Sequence, residues 1–269
     1  MIKVFVNERV YEFKEGVTLY QVKNLIKPDA DVLIYNGHIV NYDLVLQDSD
    51  RVVLIKRGEK PSKDELEALM MARHTPGVHE KLKKGRVAIA GLGGLGSNIA
   101  VSLARMGVGF LRLIDFDVVE PSNLNRQYYF IDQLGMKKTE ALHSTLLRIN
   151  PYITYDMVDV LIDENNIKDL FDDVDVIVEA FDKAETKAML IKRCMQIFPE
   201  KVVIGASGVA GVHDTSLLRI ERIGKNVYIV GDFVNEARPG EGLMATRVAV
   251  AANMQANLVV RYLLGLLKQ

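Results

Sequence analysis

Apolar and polar positions along the chain first follow a period of two. Around the turn-forming segment 7–9, apolar side chains recur at every second position, at Ile2, Val4, Val6, Tyr11 and Phe13. This period places alternate side chains on one face of an extended chain. The pattern therefore predicts that the chain opens with a β-hairpin.

Helical spacing replaces the alternation after Gly16. A short helix is predicted to begin after the N-cap Thr18 and to end at Pro28, because apolar residues lie three or four positions apart at Leu19, Val22 and Ile26. Two further strands are predicted at residues 32–35 and 51–56, with an Asn-Gly turn at 36–37. The pattern predicts a small α+β domain over residues 1–57.

Residues 58–84 are charged and contain Pro61 and Pro76. We interpret this segment as a linker with one exposed helix at 63–73. The last domain, 85–269, begins with an apolar strand at 87–90, a glycine-rich turn, a helix at 95–106 and a strand at 111–115. More strands are predicted at 155–158, 174–179 and 202–206, and this alternation of strands and helices predicts an α/β domain with a parallel sheet covered on both faces.

The glycine-rich turn has the spacing G-x-G-x-x-G, with glycines at Gly91, Gly93, Gly94 and Gly96. Between a strand and a helix, this motif brings backbone N–H groups and a helix N-terminus to a phosphate. Asp115 ends the next strand, where a carboxylate can accept hydrogen bonds from ribose hydroxyls. Dinucleotide binding and a purely structural turn are both open on these residues alone.

The sequence GLGSNIAVSLARMGVGFLRLIDFDVVEPSNLNR at 94–126 closely resembles the ubiquitin-activating enzyme superfamily, including the ThiF and MoeB adenylyltransferases. The pattern of residues 1–57 resembles the β-grasp fold of ubiquitin and of ThiS sulfur carriers. The resemblance implies a Rossmann-like adenylation domain preceded by a β-grasp domain. Arginine and two asparagines after the acidic strand end suit an enzyme that expels pyrophosphate, since fixed donors must meet the charge on the leaving phosphates.

The resemblance also implies roles for individual residues. It places Gly91, Gly93, Gly94 and Gly96 at the nucleotide, Asp115 on the ribose, Asn123, Asn125 and Arg126 along the phosphates, Lys138 beside the α-phosphate and Asp182 on Mg²⁺. Lys183 stands where most relatives have asparagine. An arginine from the region of Arg73 reaches the triphosphate of the neighbouring subunit in relatives, which implies a homodimer. The alternative is that Arg73 is a solvated charge on the linker helix.

The implied reaction joins ATP to the C-terminal glycine carboxylate of a ubiquitin-like sulfur carrier that ends in Gly-Gly, and releases pyrophosphate. The resemblance points to thiamine thiazole synthesis. Residues 1–57 continue into the linker without a terminal carboxylate, so we expect them to act as a scaffold, a dimer element or a docking module for the partner. Two alternatives remain: a TcdA-like enzyme that adenylates a carboxylate on modified tRNA and dehydrates it, and a non-catalytic nucleotide-binding protein.

Composition and net charge limit the kinds of partner that the protein is expected to bind. A net charge of −1 gives no reason to expect nucleic acid, and 49% hydrophobic residues are enough for a large core. The only cysteine, Cys194, provides neither a disulfide nor a multi-thiolate zinc site, so we expect no zinc and a reducing, cytoplasmic location. Cys194 itself is interpreted as a packing residue, and the loop 231–244, expected to cover the carrier tail, contains no cysteine. No apolar run is long enough for a membrane span.

Overall fold

The computed structural model describes residues 1–74 and 76–267. The chain divides into two compact units, Met1–His79 and Glu80–Gln269. Each unit has its own core of buried apolar side chains.

The N-terminal unit is a five-stranded sheet with one helix packed on it. Its elements are β1 (Ile2–Val6), β2 (Arg9–Phe13), α1 (Leu19–Ile26), β3 (Val32–Tyr35), β4 (His38–Val40), β5 (Arg51–Ile55) and α2 (Lys63–His74). The strand order is β2-β1-β5-β3-β4, and β1 and β5 are parallel. The predicted hairpin, helix and strands are confirmed, and only the three-residue β4 was not predicted.

The helix α1 begins as its sequence predicts. The Thr18 hydroxyl accepts a hydrogen bond from the Gln21 N–H, and the Gln21 side chain accepts one from the Thr18 N–H, which is a reciprocal capping box. Leu19 and Val22 are fully buried and pack in the core with Val4. The helix thus covers the inner face of the sheet.

The C-terminal unit is a seven-stranded sheet with helices on both faces. It begins within α3 (Pro76–Lys84) and continues with β6 (Arg86–Ala90), α4 (Gly94–Met106), β7 (Phe110–Ile114), α5 (Lys138–Ile149), β8 (Thr154–Val158), α6 (Ile167–Phe171), β9 (Val176–Glu179), α7 (Ala184–Ile197), β10 (Val202–Ala206), β11 (Arg219–Ile223), β12 (Val227–Gly231) and α8 (Ala245–Leu263). The strand order is β11-β12-β10-β9-β6-β7-β8, and only β11 is antiparallel to its neighbour. The predicted α/β class and the preceding small domain are confirmed.

The order of the strands fixes where a ligand can bind. From β6 the chain moves outward through β7 and β8, and it then returns to β9 beside β6 and moves the other way. Side chains of α4, α5 and α8 cover one face, and those of α6 and α7 cover the other. In open parallel sheets, such a reversal leaves a crevice at the carboxyl ends of the strands. The loops after β6, β7 and β9 therefore meet at one edge.

The predicted linker differs from the structure in one respect. A second helix, α3, occupies part of the segment that we interpreted as linker, and it begins at Pro76. Proline is tolerated at the first position of a helix because the N–H it lacks has no partner there. Leu82 of this helix is fully buried. Within the described residues, no helix combines the length and the apolar character that crossing a membrane would require.

Phe171 tests the core of the C-terminal unit, because its side chain, at the end of α6, is fully buried. We expect Phe171→Ala to lower the free energy of unfolding by about 3–5 kcal/mol, the range for deleting a buried ring. Leu161→Ala is a control in the same unit, since Leu161 is 58% exposed. Urea unfolding followed by circular dichroism measures both, and equal losses would contradict the assignment of Phe171 to the core.

Candidate functional site

Two of the four motif glycines are required by the turn itself. Gly91 follows β6 with a φ of +91°, and a Cβ there would lie 3.0 Å from the Ala180 carbonyl oxygen. A Cβ on Gly96 would lie 1.9 Å from the carbonyl oxygen of Gly91. Any larger residue at Gly96 must displace α4 from the end of β6. These two glycines therefore serve packing, whatever else the motif binds.

The other two glycines face different surroundings. Gly93 is the N-cap of α4, and a Cβ there would meet nothing nearer than the Gln127 amide nitrogen at 3.9 Å. A Cβ on Gly94 would lie 3.0 Å from a Val248 methyl group and 3.4 Å from the Arg126 Cγ. Gly94 thus makes room for Arg126, while Gly93 leaves open space at the N-terminus of a 13-residue helix. Backbone N–H groups at such a position attract anions.

Asp115 is attached to the glycine turn. Its side chain is buried and accepts hydrogen bonds from the Leu92 N–H at 2.6 Å and the Asp117 N–H at 2.9 Å. Lys138, at the start of α5, is also buried and donates to the Asp117 carboxylate at 2.9 Å. Asp117, which sequence reasoning did not single out, therefore holds this cation at the carboxyl end of β7.

Arg126 carries a charge without a matching carboxylate. Within the part of the chain that the structure describes, its guanidinium contacts only oxygen atoms of Ser122 and Asn125, at 3.2 and 2.8 Å, and its Nε is buried without a hydrogen-bond partner. Asn125 also donates to the Leu243 carbonyl at 3.4 Å. The Asn123 side-chain oxygen accepts from the Glu120 N–H at 3.0 Å and stabilises the 3₁₀ turn before Arg126. An unpaired, partly buried guanidinium is suited to bind an anion.

Polar groups of α4 hold the Arg126 segment in place. Asn98 donates to the Arg126 carbonyl at 3.1 Å, and the Ser97 hydroxyl accepts from the Tyr128 N–H at 2.9 Å. The Tyr129 hydroxyl donates to the Leu92 carbonyl at 2.8 Å. Sequence reasoning missed these residues because the segments that they join are about thirty positions apart. They fix the distance between Arg126 and the glycine turn.

Asp182 lies between β9 and α7 on the same edge. Its side chain is exposed and has no hydrogen bond or ion pair among the described residues. Lys183 is also exposed and is the N-cap of α7. No group of three His, Cys, Asp or Glu side chains within residues 1–74 and 76–267 has the arrangement of a metal cage. A single free carboxylate fits Mg²⁺ bound mainly by phosphate oxygens and water, as this ion prefers.

Two further residues that the sequence analysis considered are Arg73 and Cys194. Arg73 is exposed near the end of α2 and belongs to the N-terminal unit. Cys194 is fully buried in α7, and burial raises the pKa of its thiol to about 12. A thiol in that state is a packing residue, as the sequence predicts.

The loop that was expected to cover the carrier tail is held by a buried ion pair. Arg247 is 1% exposed and donates to the Asp232 carboxylate at 2.5 Å and to the carbonyls of His213 and Asp214 at 2.6 and 2.8 Å. Asp232 accepts in turn from the Val234 and Asn235 N–H groups at 2.8 and 2.9 Å. These contacts hold the loops after β10 and β12 against the start of α8.

The chain belongs to the ThiF family, whose model matches residues 67–269. A model described as ThiS-like ubiquitin matches residues 2–58. These matches confirm the resemblances inferred from the glycine motif and from the N-terminal strand pattern. They place a ubiquitin-like module and a ThiF domain in one chain.

Individual relatives share part of this chain. It is 32% identical over 156 residues to the tRNA threonylcarbamoyladenosine dehydratase of Haemophilus influenzae, covering 57% of this chain and 59% of the relative. It is 39% identical over 132 residues to the molybdopterin-synthase adenylyltransferase of Escherichia coli, covering 49% and 51%. The chain thus spans about half the length of these curated relatives. The structure of E. coli TcdA in complex with ATP superposes with a TM-score of 0.69 over 77% of this chain and 98% of that one, at 20% identity, which shows a shared fold.

An experiment can distinguish a glycine that is needed for packing, Gly96, from one that has open space around it, Gly93. We expect Gly96→Ala to lower the free energy of unfolding by at least about 2 kcal/mol, because its Cβ overlaps backbone that cannot move aside. The Cβ added by Gly93→Ala meets open space, so this substitution should lower the free energy of unfolding by about 1 kcal/mol or less, the difference between glycine and alanine at an N-cap. Thermal unfolding of both variants measures this contrast, and equally stable variants would show that the close approach of Gly96 to Gly91 is not needed.

Proposed function

We propose that the protein is an ATP-dependent adenylyltransferase that activates a carboxylate as an acyl-adenylate. The observation that carries the proposal is the unpaired guanidinium of Arg126, with its buried Nε, held beside the open N-terminus of α4. Asp182 provides a free carboxylate after β9, the neighbour of β6. This combination suits a metal-bound triphosphate. E. coli TcdA, which shares the fold, has been solved with ATP and with AMP.

The reaction needs positioning more than acid–base chemistry. A carboxylate is ionised at neutral pH, so one of its oxygens attacks the α-phosphorus directly, a P–O bond forms, and the bond to pyrophosphate breaks. Arg126 and Lys138 bind the phosphate oxygens, Asp115 accepts from the ribose hydroxyls, and the amide groups of Asn123 and Asn125 complete the phosphate contacts. The N-H groups after Gly93 meet the same anion.

Asp182 is the residue that would hold Mg²⁺, and the ion would lower the repulsion between the triphosphate and the attacking carboxylate. Fixed positive groups aimed at the departing pyrophosphate lower the barrier without a proton transfer. A nucleophilic side chain is therefore unnecessary, which agrees with the inert, buried state of Cys194.

The substrate that we propose is the C-terminal glycine carboxylate of a separate ubiquitin-like sulfur carrier, in thiamine thiazole synthesis. A relative named ubiquitin-like modifier-activating enzyme 5 supports a ubiquitin-like partner. In this chain the residues after β5 continue into α2, so the N-terminal unit presents no carboxylate there. We assign that unit a scaffolding or docking role.

Pyrophosphate exchange tests the proposed activity. The protein is incubated with ATP, Mg²⁺, labelled pyrophosphate and a Gly-Gly-ended carrier, and label entering ATP is counted. Exchange that requires the carrier is the expected result. Exchange that requires tRNA instead would assign the protein the reaction of its dehydratase relative, and no exchange with either would overturn the adenylation proposal.

Two substitutions address the site in the same assay. We expect Arg126→Ala and Asp182→Ala each to lower the exchange rate by at least about tenfold, since each removes a charge that stabilises the transition state. Arg148→Ala and Asp169→Ala are matched controls, because both side chains are exposed on other helices. Unchanged rates in the site variants, with folding checked by circular dichroism, would remove Arg126 and Asp182 from the mechanism.

We further propose that the protein is a homodimer in which Arg73 completes the partner's phosphate site. If so, Arg73→Ala and Asp182→Ala proteins should each be inactive but regain roughly a quarter of the wild-type rate after subunit exchange, because half of the dimers are mixed and each has one intact site. Light scattering measures the oligomeric state. Mixtures without recovery, despite proven exchange, would show that Arg73 does not act across the dimer.

A further inference from the structure

A buried carboxylate lies three residues before the proposed metal ligand, Asp182. Glu179 is the last residue of β9 and is fully buried. Desolvation raises the pKa of its carboxyl group. Burying an acidic group costs free energy unless its oxygens have partners, so its contacts indicate what this residue does.

The contacts of Glu179 join three elements. One oxygen accepts from the Phe181 N–H at 2.7 Å, in the turn after β9, and the other faces the Ala206 N–H at 3.4 Å, at the end of β10. Lys187, in the first turns of α7, donates to the carboxylate at 3.2 Å and to the Ala206 carbonyl at 3.0 Å. The carboxylate thus ties the β9 turn to the neighbouring strand and to the following helix.

The turn that Glu179 holds also touches the glycine motif. The Ala180 N–H donates to the Ala90 carbonyl at 2.9 Å, and the Ala180 carbonyl is the group that a Cβ on Gly91 would meet. Asp182 follows Ala180 by two positions. A Cβ on Gly205 would lie 2.9 Å from a Glu179 oxygen, so glycine at 205 leaves room for the carboxylate. The backbone before Asp182 is therefore fixed on both sides.

We propose that Glu179, held by Lys187, is a positioning residue that fixes Asp182 at the place where Mg²⁺ binds. The inference rests on the proposed function. Glu179 does not meet the ligand itself, because its side chain has no exposed surface. Its effect passes through the Phe181 N–H to the adjacent Asp182.

Calorimetry of nucleotide binding tests the inference without measuring turnover. A non-hydrolysable ATP analogue is titrated into the protein with and without Mg²⁺. Glu179→Gln should raise the Kd of the Mg²⁺-bound analogue about tenfold, as expected for loss of a residue that orients a metal ligand. The Kd measured without Mg²⁺ should change less than about twofold, since the glycine turn and Arg126 are untouched. An equal rise in Kd with and without Mg²⁺ would show that Glu179 has only a structural role.

A double-variant cycle shows whether Glu179 acts through Asp182. Asp182→Ala should weaken Mg²⁺-dependent binding, and adding Glu179→Gln should weaken it no further because both act on one contact. If the two substitutions raise the Kd independently, by factors that multiply, the proposal is overturned. If the Glu179→Gln variant does not fold, the double variant Glu179→Gln/Lys187→Met is used in its place, because it removes both charges of the pair. The expected result is the same.

Asp173→Asn is the matched control. Asp173 precedes the other end of β9 and is paired with Arg86 and Arg112 at 2.5 Å each. It should leave the Mg²⁺ dependence unchanged, and a change equal to that of Glu179→Gln would overturn the inference. Wild-type protein that binds no nucleotide in either titration would instead overturn the proposed function.

Discussion

The close packing of Gly96 against the carbonyl of Gly91 determines the geometry on which the candidate site depends. With no Cβ between them, α4 begins directly at the carboxyl end of β6 and its first N–H groups reach the edge of the sheet. Both backbone groups of Leu92, within this turn, are used: its N–H binds Asp115 and its carbonyl binds the Tyr129 hydroxyl. One turn therefore sets the positions of the end of β7 and of the segment that carries Arg126.

Charged groups along this edge fall into two classes with different physical roles. Glu179 with Lys187, and Asp232 with Arg247, are buried pairs whose charges are matched by each other and by backbone groups. Such pairs contribute little net stability because desolvation opposes their attraction. They do define the course of the loops. Arg126 and Asp182 have no ion-pair partner among the described residues, so their charges are free to meet a ligand.

The sequence predicts the strands β6 to β10 and the residues at their ends, because apolar runs, glycines and charges mark them locally, but it does not predict β11 or β12. Its misses have physical reasons. The edge strand β11 is exposed along its length and carries charges, so it lacks a buried face to reveal it. The helix α8 contains five alanines and four valines, which have opposite helix propensities, and its contacts with α4 form only on folding. The sequence places Glu179 only at the end of the predicted strand 174–179, because its partner strand and Lys187 become neighbours through folding.

The N-terminal unit shows why a carrier-like fold does not by itself make a carrier. In the reaction that we propose, the carrier reacts through a free chain end, whereas here the chain after β5 is bound to its own unit. Lys27 pairs with Glu59 at 2.5 Å, and the Asn7 amide donates to Glu65 at 2.8 Å. Asn7 also bonds both backbone groups of Leu54 in β5. Release of this segment would break these contacts and still leave a peptide bond in place of a carboxylate. Chain continuity, and not the strand order, therefore separates this module from a substrate.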